Sequence, residues 1–464
     1  MSPRAAALLA LAAIAACVLG AAAAPARAAG PEAAGADAAA GASSQSAPAA
    51  EPAPSVAPLA SQRAGRSSPL DAAHGDHPSV APDATLTLAA ALEAALARDP
   101  GRERVDARSD EARILRGAAR AWTPEPVALT GAAASDRVLG SHDGYRAWEA
   151  GLEIPLWIPG QRAARRRVAE HARTGADAAR VLRALEVAGA LRELLAEWER
   201  SRAHVAVAGH ALDAASALEA AVRRAAELGE LADRERLLAE EETLGRRDAL
   251  LQAQAELRDA ELRWHALTGL DRAPADATEP RAPERPLDAM HPLLAEAQAR
   301  VARAEAALAQ AARDAWPGPH VAIVSEHERD LRGEPTNDRF GVGLHLPLGR
   351  SASARERVAT ARIELGDARA ELGALQRALD IALHDAVHQL ALAEDRLRVA
   401  EVRLALATRN LRLEERAFAL GESDLLDRLR IQARAFEAEL ALAEARADRQ
   451  LALARHNQAL GVLP

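Results

Sequence analysis

Few residues in this sequence have types and spacings that suit catalysis or metal binding. His384 and His388 are four residues apart, which puts both imidazoles on one face of a helix and within reach of one metal ion. The glutamate of the HExxH pattern is missing, and no second cluster of acidic residues and histidines completes a site. Phosphate loops, nucleophile motifs and cysteine–histidine clusters are also missing from the sequence. The sequence therefore predicts that the chain is not an enzyme and has neither a cofactor nor a metal site, with the two histidines packing on a helix face.

Cys17 is the only cysteine, which excludes an intrachain disulfide. It lies in an apolar run, residues 5–24, that is followed by the small-x-small site Ala26-Arg27-Ala28. These features are typical of a secretory signal peptide over residues 1–28, and the cleavage site argues against a transmembrane anchor. However, Ile14-Ala15-Ala16-Cys17 is also similar to a lipobox, in which the cysteine becomes the acylated first residue. Cleavage after Ala28 and lipidation of Cys17 are both open interpretations.

The composition of the remaining chain favours long helices. Residues 29–84 are rich in alanine, proline, serine and glycine without periodicity, which predicts a disordered linker. Beyond it, alanine, leucine, arginine and glutamate dominate, all of which favour helices. Aromatic residues make up only 2% of the chain, too few for a large globular core. The net charge of −9 provides no basic surface, so nucleic acid is not an expected partner.

The sequence contains an internal duplication with an offset of 192 residues. Gly151-Leu-Glu-Ile-Pro-Leu156 returns as Gly343-Leu-His-Leu-Pro-Leu348. The same offset relates three further landmark pairs: Pro100 and Pro292, Gly229 and Gly421, and Gly269 and Gly461. We therefore predict two repeats, residues 85–272 and 292–464, joined by a linker over 273–291.

Each repeat contains a segment in which the hydrophobic period changes from about 3.6 to 2. Apolar residues alternate with polar or small ones up to Leu156 in the first copy and up to Leu348 in the second. With weaker partner strands before them, these segments predict two hairpins, at about 126–155 and 319–348. Strands of roughly 9–11 residues are long enough to span a bilayer when tilted.

A helix of unusual length follows each hairpin. Residues 161–228 and 351–420 contain no proline, and each stretch ends at a glycine, Gly229 or Gly421, after which a further helix returns. At ~1.5 Å per residue such a helix is about 100 Å long. Helices of this length need coiled-coil-like packing against neighbours.

Four strands in one chain cannot close a barrel, and open strand edges are not tolerated in lipid. If the hairpins cross a membrane, several copies must therefore share one barrel and one helical tube, which favours a conduit. The alternative is a soluble periplasmic coiled-coil adaptor or structural protein. An adaptor would carry one helical hairpin within β-rich domains, whereas this sequence has two matched repeats.

Over about residues 86–464, the sequence resembles the TolC-type outer-membrane efflux proteins. The resemblance rests on the Gly-Leu-x-x-Pro-Leu strand ends and on Phe418-Ala-Leu-Gly421-Glu-Ser-Asp-Leu-Leu426, which is similar to the family's helix-tip motif. It implies a mostly α-helical fold with a small β part: a duplicated unit of helix, β-hairpin, long helix and returning helix. It further implies a homotrimer that shares a transmembrane β-barrel and a long α-helical barrel in the periplasm.

The resemblance also implies partners and functional residues. The expected function is the outer-membrane channel of a tripartite efflux system, which docks through tips at Gly229, Gly421 and Phe418 to a periplasmic adaptor of an inner-membrane pump. Asp424 and Asp427 are the positions that match the family's acidic constriction, although the nearby Arg430 leaves cation selectivity in doubt. The cargo is open; the 14 histidines and a loose similarity to the family's heavy-metal branch favour metal cations.

Overall fold

Residues 79–140, 142–275, 278–283 and 290–464 are described by the structure, a computed structural model of the chain. The predicted signal peptide, Cys17 and most of the predicted linker 29–84 lie outside the described residues.

Helices make up most of the described chain, as the alanine- and leucine-rich composition predicts. The bounds of the two long helices agree with the prediction to within one residue, because a proline-free stretch ends at a glycine in both repeats. Asp99-Pro100-Gly101 separates the first two helices, since proline removes a backbone donor from a helix interior. The helices are α1 Leu88–Arg98, α2 Arg102–Arg120, α3 Gln161–Glu227, α4 Asp233–Thr268, α5 Pro292–Asp314, α6 Ala352–Ala419 and α7 Leu425–Ala459.

Strands form two separate sheets in the described chain. The strands are β1 Ala81–Asp83, β2 Ala128–Ser135, β3 Arg146–Pro155, β4 Arg272–Pro274, β5 His320–Arg329 and β6 Asn337–His345. The larger sheet has four antiparallel strands in the order β2-β3-β5-β6, and joins the two predicted hairpins through β3 and β5. This pairing leaves β2 and β6 as the edge strands of the sheet. The smaller sheet pairs β1 with β4 in parallel.

The two long helices run through the whole helical part and set its layout. In the half that contains Gly229 and Gly421, α6 packs on α7, α7 on α3, and α3 on α4, so α4 and α6 are the ends of a four-helix arc. In the half nearer the four-stranded sheet, α2 packs on α3, α3 on α5, and α5 on α6. One stretch of α3 is apolar enough to cross a bilayer by composition alone. Its packing against α2, α4, α5 and α7 is instead that of a helix within a helical domain.

Small side chains allow this close packing. Nine of the 21 buried positions of α3 are alanines, and the fully buried Trp198 is the largest of the other buried side chains. Trp198 lies in the largest apolar cluster, where α1, α3 and α4 meet, together with Trp264. The Trp264 Nε1 donates to the carbonyl of Arg272 at 3.0 Å, which ties α4 to β4. These two tryptophans are therefore placed where several elements converge.

The strand β1 corrects one sequence-based expectation. It lies inside residues 29–84, which the composition predicts to be disordered, yet Val80 is buried in the main cluster and β1 pairs with β4. The composition gave no sign of this strand because its partner is about 190 residues away in the chain.

The segment between the repeats is also packed against the helices. Arg192 of α3, which is nearly fully buried, donates from Nε and Nη2 to the two carboxylate oxygens of Glu279 at 2.6 and 2.7 Å. Asn457 of α7 accepts from the backbone N of Ala282 at 3.0 Å and donates to Glu279 at 3.0 Å. The described part of the predicted linker 273–291 is thus held to both repeats by charge-assisted hydrogen bonds.

Candidate functional site

The two helix tips have the same backbone structure. Gly229 and Gly421 adopt left-handed conformations, with φ of 77° and 74°, and have open space where a side chain would be. In the first tip the N–H of Glu230 donates to the carbonyl of Ala225, and in the second that of Glu422 donates to Ala417, both at 2.9 Å. These bonds satisfy helix-end carbonyls, and glycine allows the turn without strain. The predicted tips are therefore equivalent in backbone geometry.

Their side chains differ. Asp424 is the N-cap of α7, and its Oδ1 accepts from the backbone N of Asp427 at 2.7 Å. The equivalent residue of the first repeat, Ala232, has no capping side chain. The Asp427 carboxylate forms an exposed ion pair with Arg430 at 3.2 Å. Asp424 thus has a structural role as a cap, and Arg430 partly offsets the charge of Asp427.

Phe418 lies mainly between the two tips. It is half-buried and packs against the cluster of Leu218, Val222 and Leu425, which joins α3 to α6 and α7. The Arg428 guanidinium lies 5.7 Å from the centre of its ring. The Phe418 ring therefore fixes the two tips relative to each other.

Two exposed leucines at the tips were missed by the sequence reasoning. Leu228 and Leu420 directly precede the tip glycines, and their side chains are 75% and 74% exposed. Their signal in the sequence was the Leu-Gly-Glu triplet that both tips share. Each tip therefore presents an apolar side chain beside a glutamate.

One face of the four-stranded sheet is apolar. Register pairing places Leu152 of β3 opposite Ile323 of β5, which is in turn opposite Val342 of β6. On β6 the side chains of Phe340, Val342 and Leu344 are 74%, 67% and 60% exposed. A sheet face of this kind needs a covering layer, because exposed apolar area is costly in water.

The loop end of the same face becomes polar. His327 stacks on Trp148 with ring centroids 3.8 Å apart and planes inclined by 15°. Its Nδ1 lies 2.6 Å from a carboxylate oxygen of Asp338. An aromatic residue between an apolar band and charged groups is typical of the boundary between membrane and water.

The other face of the sheet is polar and acidic. Glu149 of β3 is directly opposite Glu326 of β5, which is opposite Arg339 of β6. Glu153 and Glu328 share this face, and Arg339 donates to Glu328 at 2.8 Å. Within the four strands, this face therefore carries more carboxylates than guanidinium groups, with glycines and alanines between them.

Both ends of the helical arc carry unpartnered apolar stripes. On α6 the stripe recurs every seven residues on the side away from α7: Leu392, Val399, Leu406, Leu413 and Leu420. On α4 Leu237, Leu244 and Leu251 have the same spacing on the side away from α3. All of these side chains are 43–74% exposed in the single chain. A seven-residue repeat of leucines is typical of a coiled-coil seam.

The two stripes also match in height. Leu237, Leu244 and Leu251 come 8, 15 and 22 residues after Gly229. Leu413, Leu406 and Val399 come the same numbers of residues before Gly421. Since both tips have the same geometry, the α4 stripe and the α6 stripe lie at matching distances from their tips.

The histidines singled out in the sequence lie on the surface of α6. His384 and His388 are exposed, with ring centroids 4.4 Å apart in an edge-on arrangement. In the described part of the chain, no group of three or more histidine, cysteine, aspartate and glutamate side chains is placed to hold a metal ion.

Comparison with known proteins shows which family the second repeat is similar to. Residues 287–462 match the outer membrane efflux protein family. The matched segment covers nearly all of the second predicted repeat. No curated protein sequence matches the chain significantly.

Solved structures of outer membrane proteins and channels share the fold. CusC matches with a TM-score of 0.67 at 15% identity, over 81% of this chain and 92% of CusC. VceC from Vibrio cholerae matches with a TM-score of 0.64 at 18% identity, over 81% of this chain and 96% of VceC. The open state of the MtrE channel from Neisseria gonorrhoeae matches with 0.63 at 17% identity, over 81% and 89% of the two chains. The predicted fold class is thereby confirmed for the protomer.

Proposed function

We propose that this protein is the outer-membrane channel of a tripartite efflux system and belongs, over both repeats, to the TolC-type family. Support for membership comes from the match of residues 287–462 to the outer membrane efflux protein family and from the shared fold over 81% of the chain. In this proposal the protein does no catalysis. It conducts substrates from an inner-membrane pump and a periplasmic adaptor across the periplasm and the outer membrane.

The observation that carries the proposal is that the sheet has two unpaired edge strands and the helical arc has two uncovered end helices. Unpaired strand edges in lipid cost several kcal/mol for each unsatisfied backbone group, so β2 and β6 must pair with other copies. The stripes on α4 and α6 must likewise be covered, and they match in height. A ring of copies satisfies both layers at once, with β6 next to β2 and α6 next to α4 of the neighbour. We propose a homotrimer, which gives a twelve-stranded barrel above a twelve-helix tube.

The two faces of the sheet determine which side meets lipid. The face of Phe340, Val342 and Leu344 is apolar along the strands and ends near Trp148, which suits contact with the hydrocarbon core. The opposite face, which carries Glu149, Glu153 and Glu326, then lines the lumen. This arrangement favours the channel over the alternative of a soluble coiled-coil adaptor or structural protein, in which the exposed apolar strands would have no role.

We propose that the tips at Gly229 and Gly421 dock to the periplasmic adaptor. Leu228 and Leu420 supply exposed apolar contacts at equivalent places, and Phe418 holds the two tips together. Asp424 and Asp427 would form an acidic ring around the three-fold axis and attract cations. The localisation that follows is the outer membrane, reached through the predicted signal peptide, with the lipid on Cys17 as an additional anchor if it is processed there.

The cargo proposal is transition-metal cations. It is supported by the acidic lumen-side face of the sheet and by histidine pairs on the surface, while the fold itself is compatible with other substrates.

Membrane fractionation combined with native mass measurement tests the channel proposal. We expect the mature protein in the outer membrane, with a native mass three times that of the protomer and a band that shifts when the sample is heated. Reconstitution in a planar bilayer should then give discrete conductance steps. A soluble monomer in the periplasm would refute the channel and favour the coiled-coil adaptor.

A further inference from the structure

Two histidines face one another across the sheet close to its junction with the helices. His320 begins β5 and His345 ends β6, and the two are direct register partners. Their ring centroids are 6.2 Å apart, and the ring planes are inclined by 53°. Neither imidazole makes a hydrogen bond or an ion pair with the described residues. Both rings are thus available to a ligand that binds between them.

One carboxylate near the pair, that of Glu153, favours a cation. On the same face, Glu153 is the register partner of Ala322, two residues from His320, so its exposed carboxylate is a diagonal neighbour of the pair. A cavity of about 420 Å³ adjoins His320 at the junction; Glu125, Asp314, Arg165 and Arg357 line it too, and Arg165 lies 3.9 Å from Asp314. This space is large enough to admit a cation that keeps part of its hydration shell.

We propose that His320 and His345 form a binding site for a divalent transition-metal cation of the Cu²⁺, Ni²⁺ or Zn²⁺ class. Neutral imidazole is a preferred ligand of these borderline metals, each ring nitrogen binding at about 2.0–2.1 Å. When one metal ion lies between two imidazole rings, the centre of each ring is a few ångströms from the metal. The observed separation of 6.2 Å between the ring centroids permits this arrangement after side-chain rotation. Water molecules complete the coordination, and the nearby Glu153 carboxylate offsets part of the charge of the cation.

The place of this site within a lumen rests on the proposed function. In the trimer, the polar face that carries His320 and His345 lines the lower end of the barrel, so three such pairs would encircle the path of the cargo. The chelating pair itself lies within one protomer. A metal-binding result is therefore informative even if the protein is not a trimeric channel.

Electron paramagnetic resonance of Cu²⁺ added to the full-length mature protein in detergent tests the inference. The background variant His384→Gln/His388→Gln removes the other close histidine pair of the described residues. In this background we expect one Cu²⁺ per protomer with hyperfine coupling to two imidazole nitrogens. His320→Gln and His345→Gln should each abolish the two-nitrogen signal and weaken Cu²⁺ binding by at least about tenfold, since even outer-shell partners of metal ligands contribute roughly 10–100-fold.

His210→Gln is the matched control, because His210 pairs with Glu439 on the helices, far along the chain from the sheet. It should leave the signal unchanged. Glu153→Gln should weaken binding while it keeps the two-nitrogen signal. The native mass of each variant is measured to check assembly. If His320→Gln does not assemble, His345→Gln decides the test, because His345 lies at the exposed end of an edge strand. Wild-type Cu²⁺ affinity and spectrum in an assembled His345→Gln protein would overturn the inference and leave the channel proposal intact.

Discussion

At the scale of single residues, the ion pair between Asp99 and Arg183 fixes the corner between α1 and α2. Arg183 of α3 donates from Nε and Nη2 to the two oxygens of Asp99 at 2.7 and 2.6 Å. The Asp99 side chain is only 5% exposed, and it also accepts from the backbone N of Gly101. Hydrogen bonding from Arg183 is the main reason that the pKa of Asp99 is held below its ordinary value of 3.8. The α1–α2 corner is thus fixed to the long helix by a charged group.

A lowered pKa means that the fold favours the ionised carboxylate. The stabilisation from Asp99 is therefore fully present above pH 3.8 and is lost as the pH falls through the folded-state pKa. We expect Asp99→Asn to lower the melting temperature at pH 7, through a loss on the order of 1–3 kcal/mol. On acidification below pH 3.8 the variant should lose less stability than the wild type, as measured by circular dichroism. Asp367→Asn, at an exposed helix position, is the control; an equal acid response in Asp99→Asn and wild type would contradict the prediction.

The second residue-scale prediction concerns the acidic tip. Asp424→Asn keeps a capping oxygen for α7 but removes the charge, whereas Asp424→Ala removes both. If the charge acts on ions in the lumen, Asp424→Asn and Asp427→Ala should both lower the cation preference of single channels. Arg430→Gln should raise it, because Arg430 offsets Asp427. Reversal potentials in asymmetric salt measure the preference, and unchanged selectivity in Asp427→Ala and both Asp424 variants would refute the constriction.

At the scale of elements, the leucine stripes of α4 and α6 are the surfaces on which assembly is expected to depend. Leu406 and Leu244 are each 15 residues from their tip glycine, so they should meet between neighbouring copies. Their side chains are 63% and 58% exposed in the protomer, and neither α4 nor α6 has another helix on that side. Because α4 and α6 are the two ends of the arc, neighbouring copies are expected to meet along one interface, between α4 of one copy and α6 of the next.

We expect Leu406→Glu to prevent trimer formation, because a carboxylate buried in an apolar seam is left without a partner. Combining it with Leu244→Arg should restore part of the trimer through a new ion pair across the seam. Native mass spectrometry of detergent extracts measures both. Ala405→Glu introduces the same side chain at the neighbouring exposed position off the stripe and should have no effect. Normal trimers of Leu406→Glu would show that this stripe does not lie at the interface.

At the scale of the whole molecule, the sheet must present one face to lipid and the other to water. Val342 and Gly341 are adjacent on β6 and point to opposite faces, and a side chain at Gly341 would meet open space. The prediction is that Val342→Asp blocks stable insertion, since a charge on the lipid side of a strand costs up to a few kcal/mol. Gly341→Asp adds the same group on the lumen side and should insert normally.

Recovery of heat-modifiable protein in the outer-membrane fraction measures insertion for both variants. Equal insertion of Val342→Asp and Gly341→Asp would mean that the apolar face does not contact lipid. Insertion of Val342→Asp with failure of Gly341→Asp would mean that the two faces are assigned the wrong way round.

The sequence by itself determined the repeat, the element types and their bounds, because these depend on local signals. Matched glycines, prolines and alternating runs stand at the same 192-residue offset, so the sequence alone places Gly229 and Gly421 at the ends of the two long helices. Local patterns say nothing about pairing between distant segments. For that reason β1, and the hold of Arg192 on Glu279, were not predicted.

Tertiary structure alone decided which groups meet. It made Asp424 a helix cap, placed Phe418 between the tips, brought His320 opposite His345 and left the stripes of α4 and α6 at the two ends of the arc. Each of these facts depends on strand register or helix order over long separations in the chain. Short-range periodicity fixes which face of an element is apolar, whereas only the packed chain shows which neighbour covers that face and which faces stay uncovered.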